Sequence, residues 1–139
     1  MKQHSPRFVQ LVNEVRPYIR EIEVCQLKEM LDAGVPFYLV DVREESEYAR
    51  DHLPGALHLS KGVIERDIEK TIAQLDAPIV LYCGGGYRSA LAAYNLQRMG
   101  YSRVLSLAGG YRAWCAAGLP LVRTRPGAPE PTAAICPTQ

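Results

Sequence analysis

A cysteine, three consecutive glycines and an arginine lie together in the short segment CGGGYRS, at positions 83–89. The cysteine is a candidate nucleophile, the arginine is a candidate clamp for an anion, and the residues between and after them are candidate substrate-binding groups. In order, this candidate site consists of Cys83, Gly84, Gly85, Gly86, Tyr87, Arg88 and Ser89. Each ordered glycine loses more backbone freedom than any other residue, so three in succession indicate a functional reason for the loop.

The glycines are predicted to form an anion-binding loop. Glycine adopts positive φ angles readily, and such a loop turns several successive backbone N–H groups toward one point. A helix that begins at about Arg88 adds free N–H groups and the positive end of its dipole. This positive potential favours the thiolate of a cysteine, and the Arg88 guanidinium can hold the anionic part of a substrate. The segment therefore predicts covalent chemistry at the sulfur of Cys83.

In two alternative interpretations of this segment, Cys83 is not a nucleophile. The segment can be a phosphate-binding turn of the P-loop type, or a structural glycine hinge that carries an incidental cysteine. The P-loop pattern requires Gly-Lys-Ser/Thr after the glycines, and that sequence does not occur here. An incidental cysteine is usually buried within a strand, whereas Cys83 stands at the end of one, so the catalytic interpretation is favoured.

The elements that position this segment are predicted strands that alternate with helices. Continuous apolar runs predict strands at 37–42, 56–59, 79–83 and 103–107. Apolar residues at helical spacing, with glycine or proline at the ends, predict helices at 24–34, 44–52, 63–75, 89–99 and 109–118. This alternation is typical of an α/β fold with a central parallel β-sheet flanked by helices on both faces. Ligands of open parallel sheets bind at the carboxyl ends of the strands, where Cys83 is predicted to lie.

The 139 residues are predicted to form a single domain with two flanking segments. Residues 1–19 form a helical extension that packs on the domain, residues 20–122 form the domain itself, and the proline-rich residues 123–139 form a flexible tail. The net charge of +1 gives no electrostatic case for nucleic acid or a membrane as partner. No apolar segment has the length of a signal peptide or membrane span, and four scattered cysteines suit a reducing compartment, so a cytoplasmic location is expected.

Several motifs together resemble those of the rhodanese-like sulfurtransferases. Residues 83–89 are similar to the active-site loop of that family, Cys-x-x-Gly-x-Arg-Ser. Further motifs occur in the family's order: DVR followed by EY within 41–48, HLPGA at 52–56, and LAGG at 107–110 with a tryptophan at 114. The resemblance covers residues 20–122. It implies the rhodanese-like three-layer fold, in which the parallel sheet is the middle layer.

The resemblance also implies a reaction. Cys83 would carry a sulfane sulfur as a persulfide, taken from a donor such as thiosulfate with release of sulfite, and pass it to cyanide or a thiol. The loop amides would stabilise the anionic persulfide and the Arg88 side chain would bind the substrate. Neither a metal nor an organic cofactor is implied.

Two other functions remain open at this stage. The domain can be a sulfur-relay or interaction module that receives persulfide sulfur from a partner protein and has little activity on small donors; one cation in the loop and the proline-rich tail suggest this. It can also be a phosphate-ester hydrolase. Cysteine phosphatases of related architecture resemble Cys-x5-Arg, whereas four residues separate Cys83 from Arg88 here. The shorter loop favours a single sulfur atom over a phosphoryl group.

Other candidate residues are assigned supporting or structural roles. Asp41 and Arg43 end a predicted strand, where they either brace the loop or form a buried ion pair that orders the next turn; the ion pair is favoured. Cys25 and Cys115 are predicted to be small core residues. Cys136, in the tail, could reach Cys83, but the interpretation that it has no function is favoured. Two histidines without a third ligand at suitable spacing give no metal site.

Overall fold

Strands and helices alternate along residues 4–123, the part of the chain that the computed structural model describes. The strands are β1 (Arg20–Ile22), β2 (Tyr38–Asp41), β3 (Asp51–His52), β4 (Leu57–His58), β5 (Ile79–Tyr82), β6 (Val104–Leu107) and β7 (Val122–Arg123). The α-helices are α1 (Pro6–Val15), α2 (Val24–Asp32), α3 (Glu45–Arg50), α4 (Ile64–Thr71), α5 (Tyr87–Arg98) and α6 (Gly110–Ala116), and a 3-10 turn follows α1 at Arg16–Tyr18. The predicted tail lies outside the described residues, except for its first residue.

Five of the strands form one parallel sheet in the order β1-β6-β5-β2-β4. The sheet places β5 at its centre, so the loop that follows β5 opens at the middle of the carboxyl edge. The remaining two strands, β3 and β7, form a small antiparallel pair. The α/β fold with a parallel sheet is therefore confirmed, and none of the helices in residues 4–123 is long and apolar enough to cross a membrane.

Side chains of the central strands alternate between two cores because successive residues of a strand point to opposite faces. Ile79, Leu81 and Cys83 pack with α4 and α5 on one face of the sheet, and Val80 and Tyr82 pack with α2 and α6 on the other. Both faces of β5 are thus covered, which explains why its residues are all apolar or aromatic and all buried.

Helix α1 packs against α5, away from the sheet. Val12 and Val15 are buried beside Ala90 of α5, and Phe8 and Tyr87 lie at the same contact. Since α5 begins at the candidate loop, this packing brings the N-terminal extension close to the site.

Candidate active site

The candidate loop connects β5 to α5, as predicted, but its glycines differ from one another in conformation. Gly86 has a φ of 93° and precedes the first residue of α5. Gly84 and Gly85 are outside the left-handed region, so of the three glycines only Gly86 requires the positive φ that the sequence predicts. A Cβ atom built on Gly84 would lie 3.1 Å from a terminal nitrogen of Arg88, and one on Gly85 would lie 3.5 Å from the Arg112 guanidinium. These two glycines leave room for side chains of arginine above the loop.

The sulfur of Cys83 accepts hydrogen bonds from two backbone amides. Gly86 N lies 3.1 Å and Ser89 N lies 3.3 Å from Sγ, so the end of the loop and the first turn of α5 both contribute. Sγ also lies 3.5 Å from the Ser89 hydroxyl, which is 2.9 Å from the hydroxyl of Ser106 in β6. Both serines are fully buried. The amides donate to the sulfur and therefore stabilise negative charge on it.

Cys83 forms part of the wall of a cavity of about 440 Å³. Cys83 is 1% exposed, so a reagent must enter this cavity to reach its sulfur. Besides the cysteine, residues of the loop, α1, α3, α5 and α6, with the residues next to them, line the cavity: His4, Phe8, Glu44, Glu47, Gly85, Tyr87, Arg88 and Arg112. Of the six predicted substrate-binding residues, Gly85, Tyr87 and Arg88 line the cavity, whereas Gly84, Gly86 and Ser89 are buried and do not line it.

Arg88 reaches the cavity while it is bound to a carboxylate. Its guanidinium donates to Glu47 Oε1 at 3.1 Å. Burial acts to lower the pKa of Arg88, but Glu47 and the charge of Cys83 outweigh it, and the pKa is raised. Burial likewise acts to raise the pKa of Glu47, but the hydrogen bonds from Arg88 and from the Glu44 amide, with the charges of Arg88 and Arg43, together outweigh it, and the pKa of the carboxyl is lowered. Both groups are therefore charged at neutral pH. The Glu47 carboxylate holds the Arg88 guanidinium in position and offsets part of its positive charge.

A second cation of the site escaped the sequence analysis. Arg112 is in the first turn of α6, exposed, and lines the same cavity. Within residues 4–123 it forms no ion pair. The LAGGYR sequence could have indicated this position of Arg112. It follows β6, which is the neighbour of β5, so the carboxyl end of β6 lies beside the end of β5 that carries Cys83. The site consequently has two guanidinium groups. It carries more positive charge than the loop sequence, with its single arginine, indicates.

The N-terminal extension also contributes to the site. His4 and Phe8 line the cavity, and their rings contact the ring of Tyr87 with centroid distances of 4.3 and 5.7 Å. The sequence predicted that this segment packs on the domain but gave no sign that it reaches the cavity, because neither residue belongs to a recognisable motif.

Asp41 and Arg43 form a buried ion pair that lies apart from the cavity wall. Arg43 donates to both carboxylate oxygens of Asp41, with the shortest contact at 2.8 Å, and to the carbonyl of Asp51 at 2.6 Å. Asp41 is fully buried and Arg43 is 1% exposed. The Tyr82 hydroxyl of β5 donates to Asp41 at 2.8 Å, and burial raises the pKa of Tyr82. This is the geometry that the ion-pair interpretation predicts, and it ties the ends of β2 and β5 together.

Neither Cys25 nor Cys115 lines the cavity. Cys25, on α2, is half-buried. Cys115 is exposed on α6, so its prediction as a core residue is wrong: the helix turns Trp114 to the core instead. Cys136 lies outside the described residues. No group of metal-ligating side chains occurs within residues 4–123.

Comparison with known proteins identifies relatives that span most of this chain. Residues 23–117 match the family model of the Rhodanese-like domain. A sulfurtransferase from Allochromatium vinosum is 38% identical over 104 residues, which are 75% of this chain and 95% of the relative. The thiosulfate sulfurtransferase GlpE from Haemophilus influenzae is 36% identical over 105 residues, 76% of this chain and 96% of that protein.

Solved structures resemble the fold at similar identity. The thiosulfate sulfurtransferase from Pseudomonas aeruginosa has a TM-score of 0.69 and 33% identity, over 76% of this chain and 20% of that one. A protein of unknown function from Rhodopseudomonas palustris, described as a possible tyrosine phosphatase, has a TM-score of 0.73 and 29% identity, over 85% of this chain and 96% of that one. These neighbours agree with the parallel α/β architecture.

Proposed function

This chain belongs to the rhodanese-like domain family, and we propose that it is a sulfurtransferase that carries a sulfane sulfur on Cys83. The observation that carries the proposal is the environment of Sγ. Two amides donate to the sulfur, and the sulfur stands in the wall of a cavity that also holds the guanidinium groups of Arg88 and Arg112. The relatives named as thiosulfate sulfurtransferases support thiosulfate as a donor.

In the first half-reaction the Cys83 thiolate attacks the outer sulfur of thiosulfate. A new S–S bond forms to Sγ, the S–S bond of thiosulfate breaks, and sulfite leaves with the electron pair of that bond. Arg112, which is exposed and without an ion pair within residues 4–123, is suited to attract the dianion, and Arg88 to orient it. The product is a cysteine persulfide, and no external oxidant is needed.

The persulfide is stabilised by donors that remain unused in the structure. Within residues 4–123 the amides of Gly85, Tyr87 and Arg88 have no hydrogen-bond acceptor. Amides of a glycine-rich loop and of the first turn of a helix are suited to an anion, here the outer sulfur of the persulfide. Since they are held in place before the reaction, they stabilise developing charge without reorganisation.

In the second half-reaction a thiophilic acceptor attacks the outer sulfur of the persulfide. Cyanide gives thiocyanate, and a thiolate gives a new persulfide; in both cases the S–S bond to Cys83 breaks and its thiolate is restored. The two half-reactions share one nucleophile, so the kinetics are expected to be ping-pong.

Intact mass spectrometry tests this function. Thiosulfate should add about 32 Da, the mass of one sulfur, to the wild-type protein, and cyanide should remove it with formation of thiocyanate. Cys83→Ser should gain nothing. Cys115→Ser is the matched control, because Cys115 is the exposed thiol on α6, and it should load like the wild type. Sulfur loading of Cys83→Ser, or an unloaded wild type with thiosulfate and with protein persulfides, would contradict the proposal.

A second candidate function is a sulfur relay between proteins. A putative sulfur carrier protein from Bacillus subtilis, YrkF, is 32% identical over 98 residues, which are 69% of this chain and 51% of that protein. A relay domain would load poorly from thiosulfate and efficiently from a protein that bears a persulfide. The two loading rates, measured by the same mass shift, separate the candidates.

Phosphate-ester hydrolysis is the third candidate, and the loop disfavours it. With four residues between Cys83 and Arg88, the loop is one residue shorter than the Cys-x5-Arg pattern of cysteine phosphatases. We expect no release of phosphate from an aryl phosphate at protein concentrations that give measurable sulfur transfer.

A further inference from the structure

Three aromatic rings form one part of the cavity beside Cys83. The ring of Tyr87 lies 4.3 Å from that of His4 and 5.7 Å from that of Phe8, and the His4 and Phe8 rings are 5.4 Å apart. All three residues line the cavity and are half-buried. Two of them come from residues before position 23, where the match to the family model begins. Two of the three rings of this aromatic wall thus lie outside the part of the chain that matches the family model.

The wall is held in place by the packing of α1. Val12 is fully buried and Val15 is 7% exposed, and both belong to one buried cluster with the α5 residue Ala90, which is also fully buried. The Arg16 guanidinium lies 5.1 Å from the centroid of the Tyr87 ring and adds a cation–π contact. Helix α5 also supplies the Ser89 amide that donates to the sulfur, so one helix positions both the Tyr87 ring and this donor.

The cavity is larger than inorganic substrates need. Its volume of about 440 Å³ is within the range of pockets for small organic ligands, which is about 300–1,000 Å³. Thiosulfate and cyanide are only a few atoms in size, and neither would cover the aromatic rings. The guanidinium groups of Arg88 and Arg112 lie over Gly84 and Gly85, so the cavity offers cations above the loop and aromatic surface at Tyr87.

We propose that His4, Phe8 and Tyr87 are specificity-determining residues, and that the site prefers an anionic organosulfur compound with an aromatic ring next to its sulfur. This inference rests on the proposed function and deepens it by naming the substrate class. The sulfur-bearing anion lies at the loop and the guanidinium groups, and the ring lies against the wall that α1 completes. Aromatic pairs of this kind contribute beyond their buried area, and the ring replaces water on three side chains at once.

With an arylthiosulfonate as donor, the transfer step has the same balance as with thiosulfate. The Cys83 thiolate attacks the outer sulfur, the S–S bond of the donor breaks, and an arylsulfinate leaves with its electron pair. The new S–S bond joins that sulfur to Sγ, and cyanide then removes it as thiocyanate.

Two donors that differ only in the group beside the thiosulfonate measure the effect of the wall. Benzenethiosulfonate and methanethiosulfonate present the same anion, and kcat/KM for each is measured with cyanide as acceptor. The ratio of the two values corrects for changes that affect all donors. In Phe8→Ala and in His4→Ala we expect this ratio to fall by about three- to tenfold, as the loss of one aromatic pair predicts. His4 precedes α1, so His4→Ala should leave the packing of the helix intact.

Leu11→Ala is the matched control, because Leu11 is on the same helix, is 49% exposed and does not line the cavity. It should keep the wild-type ratio. An unchanged ratio in both Phe8→Ala and His4→Ala, with methanethiosulfonate still turned over, would overturn this inference and leave the sulfurtransferase function intact. If the wild type turns over neither thiosulfonate nor thiosulfate, the proposed function fails, and the inference fails with it.

Discussion

Replacing the three loop glycines by alanine, one at a time, should give three different results. The loop can be tested in this way because each glycine has a different neighbour and only one has a positive φ. If the glycines were equivalent parts of a flexible hinge, the three variants would lose similar amounts of stability and activity.

Gly86→Ala should be the most damaging substitution. At a φ of 93°, a residue with a Cβ is strained by about 1–2 kcal/mol. The added Cβ would also lie 3.1 Å from the backbone nitrogen of Gly109 and 3.3 Å from the carbonyl oxygen of Leu107, and backbone atoms cannot rotate away. We expect a loss of at least about 2 kcal/mol, which lowers the Tm by about 8 °C in a domain of this size.

The activity of Gly86→Ala should fall as well, because the Gly86 amide donates to Sγ at 3.1 Å. A hydrogen bond to a charged group contributes about 1.5–3 kcal/mol. If the strained loop turns this amide away from the sulfur, kcat/KM should fall by roughly 10- to 150-fold.

The other two glycines tolerate alanine better. In Gly84→Ala the Cβ lies 3.1 Å from a terminal nitrogen of Arg88, so this flexible side chain must shift and the KM for thiosulfate should rise with little loss of stability. In Gly85→Ala the nearest atom is 3.5 Å away, which is an ordinary van der Waals contact. Since alanine restricts the unfolded chain, stability should be unchanged or higher by about 0.4–1 kcal/mol.

Thermal unfolding followed by circular dichroism, with thiosulfate:cyanide turnover on the same samples, measures both effects. The expected order of Tm is Gly85→Ala, then Gly84→Ala, then Gly86→Ala. A Gly86→Ala protein as stable as Gly85→Ala would refute the assignment of backbone strain to that position. Equal rises in KM for Gly84→Ala and Gly85→Ala would refute the role given to Arg88.

Three further predictions concern the charged groups of the site. Asp41→Asn leaves the Arg43 charge buried without compensation and should cost about 3–5 kcal/mol in urea unfolding; a loss below about 1 kcal/mol would show that the pair is not needed. The Glu47–Arg88 pair lowers the pKa of Glu47, so the stability that the pair contributes is fully present above the ordinary pKa of 4.5 and is lost as the pH falls below that value through the lowered pKa. Because both side chains are about a third exposed, this contribution should be below about 1 kcal/mol. Glu47→Gln should remove this acid-dependent part of the urea midpoint. Arg112→Ala should raise the KM for thiosulfate about three- to fivefold and change kcat less, in steady-state assays; an unchanged KM would remove Arg112 from substrate binding.

The elements that position Cys83 were predictable because they are continuous in sequence. The apolar run before Cys83 and the alanine-rich helix after it gave β5 and α5 to within a few residues. The strands that escaped prediction are short or charged. β1 consists of Arg20, Glu21 and Ile22, and it is at the edge of the sheet, where polar side chains face solvent and no apolar pattern is required.

The parts of the site that escaped prediction are those contributed from a distance. Cys83, Arg88 and Ser89 share one segment, whereas Arg112 and Phe8 reach the cavity through the order of strands and the packing of a helix. Local patterns report the face that a residue turns to the core, but not which other element it meets there. The prediction for Cys115 failed for a related reason. Adjacent residues of a short helix point to different faces, and in α6 the buried face is occupied by Trp114, which leaves Cys115 exposed.

Helix α6 determines how wide the loop can be. Its amides at Tyr111 and Arg112 donate to the carbonyls of Cys83 and Gly84 at 2.8 and 2.9 Å, which fixes the start of the loop from behind. This approach requires Gly110, because a Cβ there would overlap the carbonyl oxygen of Cys83. A loop held by a second helix on one side and by its own helix on the other cannot widen around a phosphoryl group without breaking these bonds. The glycine pair after β6 therefore fixes the start of the loop from behind, which supports the proposed transfer of a single sulfur atom.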